Sequence, residues 1–326
     1  MAVEVSNLWN RNQQNSIIVI HQPCSDGETC EWIMRTYGKE NLLPDMQIIK
    51  SKPGQSMSPG LFVNKSVMFA DTVPPNLDEI IKVANKIQVI DHHKGNIKLL
   101  LDSMQSVNDS NKLQVLYNDD KCAAELMWDI KVTGRPYPWF LSVIGAHDCW
   151  RWKVCPPHYK ALYRNIFSGK VASITLFDSL LNWTAEQMND SVINGELQLI
   201  EDEKTIIQYI DERITTTYTD TGDYKYQVYV VQNCPWMYIS EVGSRIALFD
   251  NCDFVVLSSY NSPIYNLSLR SAKGKTDISR IADDIKNKYG PILVIKAGGG
   301  INAGGAEITC DPFQLFEGTK PLQPSL

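Results

Sequence analysis

Imidazole and carboxylate side chains recur at the ends of short apolar runs in the first half of the sequence. SIIVIH ends on His21, with Cys24 and Asp26 just beyond it, and SVMFAD ends on Asp71. IQVIDHH ends on Asp91, His92 and His93, and the apolar run before AHDCWRW leads to His147 and Asp148. Any one of these alone is explained as a cap or a solvated loop residue. Four run ends that all carry metal-competent groups are harder to explain that way. Carboxylates gathered at the buried rim of a fold repel one another and lose hydration unless something neutralises them. Divalent cations do so. Three carboxylates (Asp26, Asp71, Asp148) with two imidazoles (His21, His92) form an oxygen-rich set that suits Mn2+ or Mg2+, with Zn2+ or Fe2+ as alternatives. The acidic groups exceed what one ion needs. Two divalent metal ions are therefore expected, roughly 3.5–4 Å apart and bridged by a carboxylate, for which Asp71 is the candidate.

The elements that must position these groups are short strands. The runs are apolar throughout, and helix-like segments separate them: Glu28 to Tyr37, closed by Gly38, and Leu77 to Lys86 after a Pro-Pro turn. Strands alternating with helices imply a parallel sheet, buried on both faces. Ligands of such sheets gather at the carboxyl ends of the strands, where these residues fall; the run before His147 and Asp148 is read as a fourth such end. Ile193, Leu197, Ile200, Ile207, Ile210 and Ile214 then recur with the spacing of one face of a long helix. The polar TTTYTDTGD at 215–223 breaks that pattern and reads as a linker. Beyond it, alternating strand-like and helix-like stretches end in PILVIKA and GGGINAGG. The expected fold class is α/β: an N-terminal parallel-sheet domain with flanking helices (1–185), a helical linker (186–223) and a smaller C-terminal mixed α/β domain (224–326). A chain of 326 residues exceeds what one hydrophobic core usually organises.

Composition narrows the partners. With 44% hydrophobic and 21% charged residues the sequence is that of an ordinary globular protein, and its net charge of -6 argues against coating long duplex nucleic acid. A small nucleotide in a local pocket remains compatible. The eight cysteines include no CxxC pair, so neither a zinc finger nor a disulfide framework is indicated. The polar first residues lack the layout of a signal peptide, and no apolar run reaches the length of a membrane span. A reducing, cytoplasmic setting and no membrane partner are expected, and hydrophobic-faced helices make a homodimer an expectation too.

These motifs together resemble the DHH-family phosphoesterases. VIDHH matches the motif that gives the family its name, VIHQPCSDGE the branch written H-x-P-C-x-D-G, MFADTVPP the second motif, and AHDCWRW the fourth, often Asp-Arg-Asp-Leu-Trp. CAAELMWD resembles the helix that usually reads Ser-Gly-Ala. The similarity covers most of the chain. It implies His21, Asp26, Asp71, His92 and Asp148 as metal ligands, Asp91 as acidic support and His93 directed at a substrate phosphate. Cys24 stands where relatives often carry the first Asp; it is open to two readings, a soft thiolate ligand or a small filler with water completing the metal shell.

NLSLRSAKGK followed by GGGINAGG resembles the DHH-associated C-terminal domain, whose signatures are Ser-x-Arg-Ser and Gly-Gly-Gly-His. Gly298, Gly299 and Gly300 would let backbone N–H groups form an anion nest, and Arg270 would add a forked donor matched to phosphate. Ile301 occupies the place of the usual substrate-contacting His, so either Asn302 takes over or the substrate preference differs. Trp150 and Trp152 offer faces for a base, one of them expected only to pack, and Arg151 is expected to pair with a metal-site carboxylate. The activity implied is hydrolysis of short oligonucleotides or cyclic (di)nucleotides to 5′-mononucleotides, by in-line attack of a hydroxide generated between the metals. The competing readings are an inorganic pyrophosphatase, whose basic Ser-Arg-Lys-type loop is not seen here, and a non-catalytic nucleotide binder.

Overall fold

A computed structural model describes residues 16–38, 47–52, 54–107, 112–169, 172–272, 275–299 and 302–316. The chain divides into two compact units, Met1–Leu199 and Ile200–Leu326.

In the first unit the apolar runs are strands: β1 (Ser16–His21), β2 (Gln47–Ser51), β3 (Ser66–Ala70), β4 (Lys86–Asp91) and β5 (Leu113–Tyr117). They form one parallel sheet in the order β2-β1-β3-β4-β5. Among the described residues this unit carries α1 (Ser25–Tyr37), α2 (Leu77–Val83), α3 (Ile97–Ser106), α4 (Ala123–Lys131), α5 (Trp139–Asp148), α6 (His158–Ile166) and α7 (Ile174–Leu180), and α8 (Ala185–Asp211) runs across the boundary into the second. Side chains alternate across a strand, and β1 shows what that does to the core. Ile18 and Ile20 pack with Met68, Ile90 and the apolar faces of α1, α4, α5 and α7, whereas Ile17 and Val19 pack with Val67, Phe69, Val89 and Leu77, Ile80 and Leu100 from α2 and α3. Both faces of the sheet are covered, which is why its strands read as unbroken apolar runs.

Two expectations need correcting here. The run before His147 and Asp148 is not a strand but helix α5. WFLSVIGA is apolar apart from Ser142 and largely buried, and periodicity does not separate such a short apolar helix from a buried strand. The tract expected to be linker, 215–223, overlaps strand β6 (Ile214–Thr219). Its threonines are β-branched and suit a strand, and Thr216 and Tyr218 bury one face of it.

The second unit holds β6, β7 (Lys225–Val231), α9 (Trp236–Ala247), β8 (Phe254–Asn261), β9 (Ile264–Arg270), α10 (Ile278–Leu293), β10 (Val294–Gly299) and β11 (Ala303–Ile308). The sheet order is β10-β11-β9-β8-β7-β6, with β7 and β8 parallel and the other neighbours antiparallel. One face carries Val228, Phe254, Leu267 and Leu269 against Ile278, Ile281 and Ile285 of α10; the other carries Tyr229, Val255 and Leu257 against Val242 and Ile246 of α9. Among the described residues, no helix is long and apolar enough to cross a membrane.

Candidate metal centre

Asp71 is the common member of the site. It follows β3 with a φ of 60°, and its N–H donates to the Ile90 carbonyl at 2.9 Å. The left-handed conformation is uncommon outside glycine but is one that aspartate tolerates. Around its carboxylate lie His21 Nδ1, 3.1 Å from Oδ2, His92 Nε2, 3.3 Å from Oδ1, and His93 Nδ1, 3.6 Å from Oδ1. His92 Nε2 also lies 2.8 Å from Asp148 Oδ2 and 3.8 Å from Asp26 Oδ2. Three sets of potential ligand atoms fall within 4.8 Å of one another: His21, Cys24 and Asp71; Asp71, His92 and His93; and Asp26, Asp71, His92 and Asp148. Thus His21, Cys24, Asp26, Asp71, His92 and Asp148 are brought together. Asp148 reaches the rim from the last turn of α5.

The residues fit a cation on an observation separate from their identity. Among the described residues, Asp71 Oδ1, His92 Nε2 and Asp148 Oδ2 are buried side-chain atoms without an oriented hydrogen-bond partner. His92 Nε2 faces Asp71 Oδ1 at 3.3 Å and Asp148 Oδ2 at 2.8 Å, and one ring nitrogen cannot direct a single N–H at both. The protonation equilibria agree. Burial pushes the Asp26 carboxyl well up, and the Asp71 and Asp148 carboxylates push it further than His92 can offset. Burial acts the same way on Asp71, but His21, His92 and His93 outweigh it and hold its carboxyl below the usual range. For His92, burial opposes the charged form, yet Asp148 and Asp71 prevail and raise it far above an ordinary histidine. Burial and the carboxylates of Asp71, Asp148 and Asp26 keep the Cys24 thiol protonated well above its usual range. The cluster takes up protons where it lacks other positive charge. Oxygen, nitrogen and one sulfur donor are a set that divalent transition ions accept.

Neighbouring elements hold the candidate ligands in place. Asp26, in the first turn of α1, accepts from Ala123 N–H (2.8 Å) and Ala124 N–H (2.7 Å), the free amides at the start of α4. That start is itself capped: Cys122 and Glu125 form a reciprocal capping pair, with Cys122 N–H donating to Glu125 Oε2 at 3.1 Å. Arg151 donates to Glu125 Oε1 at 2.6 Å and to the Asp120 carbonyl at 3.0 Å. Its partner is therefore the capping Glu125 and not a metal-site carboxylate, because the α4 turn presents an otherwise buried, uncompensated charge directly to it. Gly27 is a steric requirement: a Cβ there would collide with the His21 carbonyl oxygen. Asp91, fully buried, accepts from His93 Nδ1 at 2.8 Å and from Asn96 Nδ2 at 2.7 Å. It orients His93 and lies outside the three ligand sets. The sequence alone does not point to the Ala123 and Ala124 amides, Glu125 or Asn96. The Cys122–Glu125 spacing was the available signal, obscured because cysteine is not a usual capping residue.

The remaining candidate residues lie elsewhere. Trp150 is 57% exposed at the end of α5. In the second unit, Arg270 ends β9; its Nη1 donates to the Leu269 carbonyl at 3.3 Å and its Nη2 to Ser240 Oγ at 3.5 Å. Burial lowers its pKa. Gly298 and Gly299 do not form a nest loop. They continue β10 and pair in antiparallel register with Gly305 and Gly304, so the ladder, which small residues allow to pack closely, organises their backbone. Asn302 is exposed, and its carbonyl accepts from Ser271 N–H at 3.0 Å. Gly300 and Ile301 lie outside the described residues.

The chain matches no protein-family model. It is 27% identical over 333 residues to the uncharacterized protein R106 of Acanthamoeba polyphaga mimivirus, covering 96% of this chain and 72% of that one. It is 22% identical over 255 residues to the oligoribonuclease NrnB of Bacillus subtilis (strain 168), covering 74% of this chain and spanning 57% of NrnB. A solved structure of an exopolyphosphatase-related protein from Bacteroides fragilis aligns over 94% of this chain and 91% of its own, with 13% identity and a TM-score of 0.48. Candidate histidine and carboxylate ligands drawn from ordered motifs meet beside the Asp-His-His triplet at the end of β4, and in this arrangement the chain resembles the DHH-family phosphoesterases.

Proposed function

We propose that the protein is a metal-dependent phosphodiesterase that hydrolyses short oligonucleotides or cyclic (di)nucleotides to 5′-mononucleotides. The observation that carries this reading is the convergence of buried Asp71 Oδ1, His92 Nε2 and Asp148 Oδ2, none with an oriented hydrogen bond, with His21, Cys24 and Asp26 around them. His21, Cys24 and Asp71 would hold one divalent ion and Asp26, Asp71, His92 and Asp148 a second, with Mn2+ the proposed metal. Such ions, when bound, supply charge for the phosphate and lower the pKa of water at the reacting centre.

The chain's own groups do the rest. His93 commits Nδ1 to Asp91, which leaves its other ring nitrogen for a phosphate oxygen. Burial opposes its charged form, but Asp91 and Asp71 outweigh it, so His93 carries a proton to higher pH than an ordinary histidine. A cationic donor at that place stabilises charge developing on phosphoryl oxygens. In the second unit, Arg270 forms no carboxylate ion pair among the described residues, and it is the proposed anion-gripping residue. The similarity to an oligoribonuclease supports the choice of substrate.

The test is hydrolysis of 5′-labelled diribonucleotides to pentaribonucleotides, cyclic dinucleotides and pyrophosphate with Mn2+. Release of 5′-mononucleotides, abolished in Asp71→Ala and His92→Ala, is the expected result. Turnover of pyrophosphate alone would overturn it, as would nucleotide binding without turnover.

A further inference from the structure

Helix α5 ends in a Schellman turn. Trp150 N–H donates to the His147 carbonyl at 3.1 Å and Arg151 N–H to the Ala146 carbonyl at 2.9 Å. The residue after the cap in this motif adopts the left-handed conformation and is usually glycine. Here it is tryptophan, with a φ of 53°. The other non-glycine residues at positive φ among those described are Asn and Asp, which tolerate it. A bulky side chain in that region is strained, and such strain persists where it serves a purpose.

The ring gains little burial in exchange. It is 57% exposed, and its recorded ring neighbour is His147, at 6.5 Å between centroids and 25° between planes. His147 lies on Tyr163 at 3.6 Å and 15°, and Tyr163 Oη is 3.2 Å from Ser25 Oγ, the residue before Asp26. Trp152 contrasts with it: half-buried, it contacts both His147 and Tyr163 and so packs. Trp150 thus presents an open aromatic face two residues from the candidate ligand Asp148, backed by a ring stack tied to the helix that carries Asp26. An open indole beside a phosphate-handling centre suits a nucleobase, since stacking is tolerant of base identity.

The geometry points to Trp150 as a base-stacking platform that selects nucleotidic phosphodiesters over substrates without a base. The inference rests on the phosphodiesterase reading above. It is tested with Trp150→Gly and Trp150→Phe, using the dinucleotide pApA and its abasic counterpart. Trp150→Gly removes the backbone strain along with the ring. The expected results are a denaturation midpoint equal to or above wild type, a KM for pApA raised about tenfold with kcat nearly unchanged, and no change in KM for the abasic substrate. Trp150→Phe keeps a ring and retains most of the affinity. An unchanged KM for pApA, an equal effect on both substrates, or a destabilised Trp150→Gly would each overturn the inference. Should wild type cleave neither substrate, the phosphodiesterase reading fails on its own. Calorimetric titration of pApA into wild type and Trp150→Gly then decides the stacking role: equal affinities overturn it and about tenfold weaker binding to the variant supports it.

Discussion

His147 precedes a candidate metal ligand but is not part of the cluster, and its titration gives a quantitative handle on the fold. Burial pushes its imidazole down to about 4 from 6.5, against a smaller opposing pull from Asp148. Above pH 6.5 the side chain is neutral in both folded and unfolded states and adds no pH dependence. As the pH falls, the unfolded chain takes up the proton first, so stability is lost progressively until the folded-state pKa is reached. Each pH unit within that window costs about 1.4 kcal/mol, which at pH 5 amounts to about 2 kcal/mol. His147→Phe keeps an aromatic ring on Tyr163 and removes the titration. Urea denaturation of chelator-treated wild type and variant at pH 7.5, 6 and 5 measures the difference. The variant's stability relative to wild type should rise by about 2 kcal/mol between the first and last pH. Parallel curves would refute the claim that this imidazole is buried and neutral.

Asp71→Asn removes the carboxylate shared by all three ligand sets, so Mn2+ titration followed by calorimetry should show binding lost altogether, while wild type gains thermal stability with added Mn2+ and loses it to chelator. Gly27→Ala drives a methyl group into the His21 carbonyl and should destabilise the protein by about 1–3 kcal/mol in urea denaturation while weakening metal affinity. Cys24→Ser tests the thiol as a ligand: a large loss of Zn2+ affinity with little change for Mg2+ is expected if sulfur coordinates, and equal affinities would show that it does not.

Much of the metal rim was legible because its signal is local. Continuous apolar runs that stop at ionisable residues give β1, β3 and β4 and the residues at their ends. What escaped the sequence depends on partners far along the chain or on segments whose pattern is ambiguous. The amides of Ala123 and Ala124 that hold Asp26 are nearly a hundred positions away from it. Arg151 stands within the AHDCWRW motif but spends its charge on Glu125, a choice fixed by how α4 and α5 pack. The first eight residues of helix α5 are apolar apart from Ser142 and give no clear period to read. Gly298 and Gly299 pair with Gly305 and Gly304 in an antiparallel ladder, a pairing that a count of glycines does not reveal.

The grip of α4 on Asp26 couples two distant stretches of the chain. The carboxylate is aligned by amides about a hundred residues further on, so a change that unseats the start of α4 also frees Asp26 to turn away from His92.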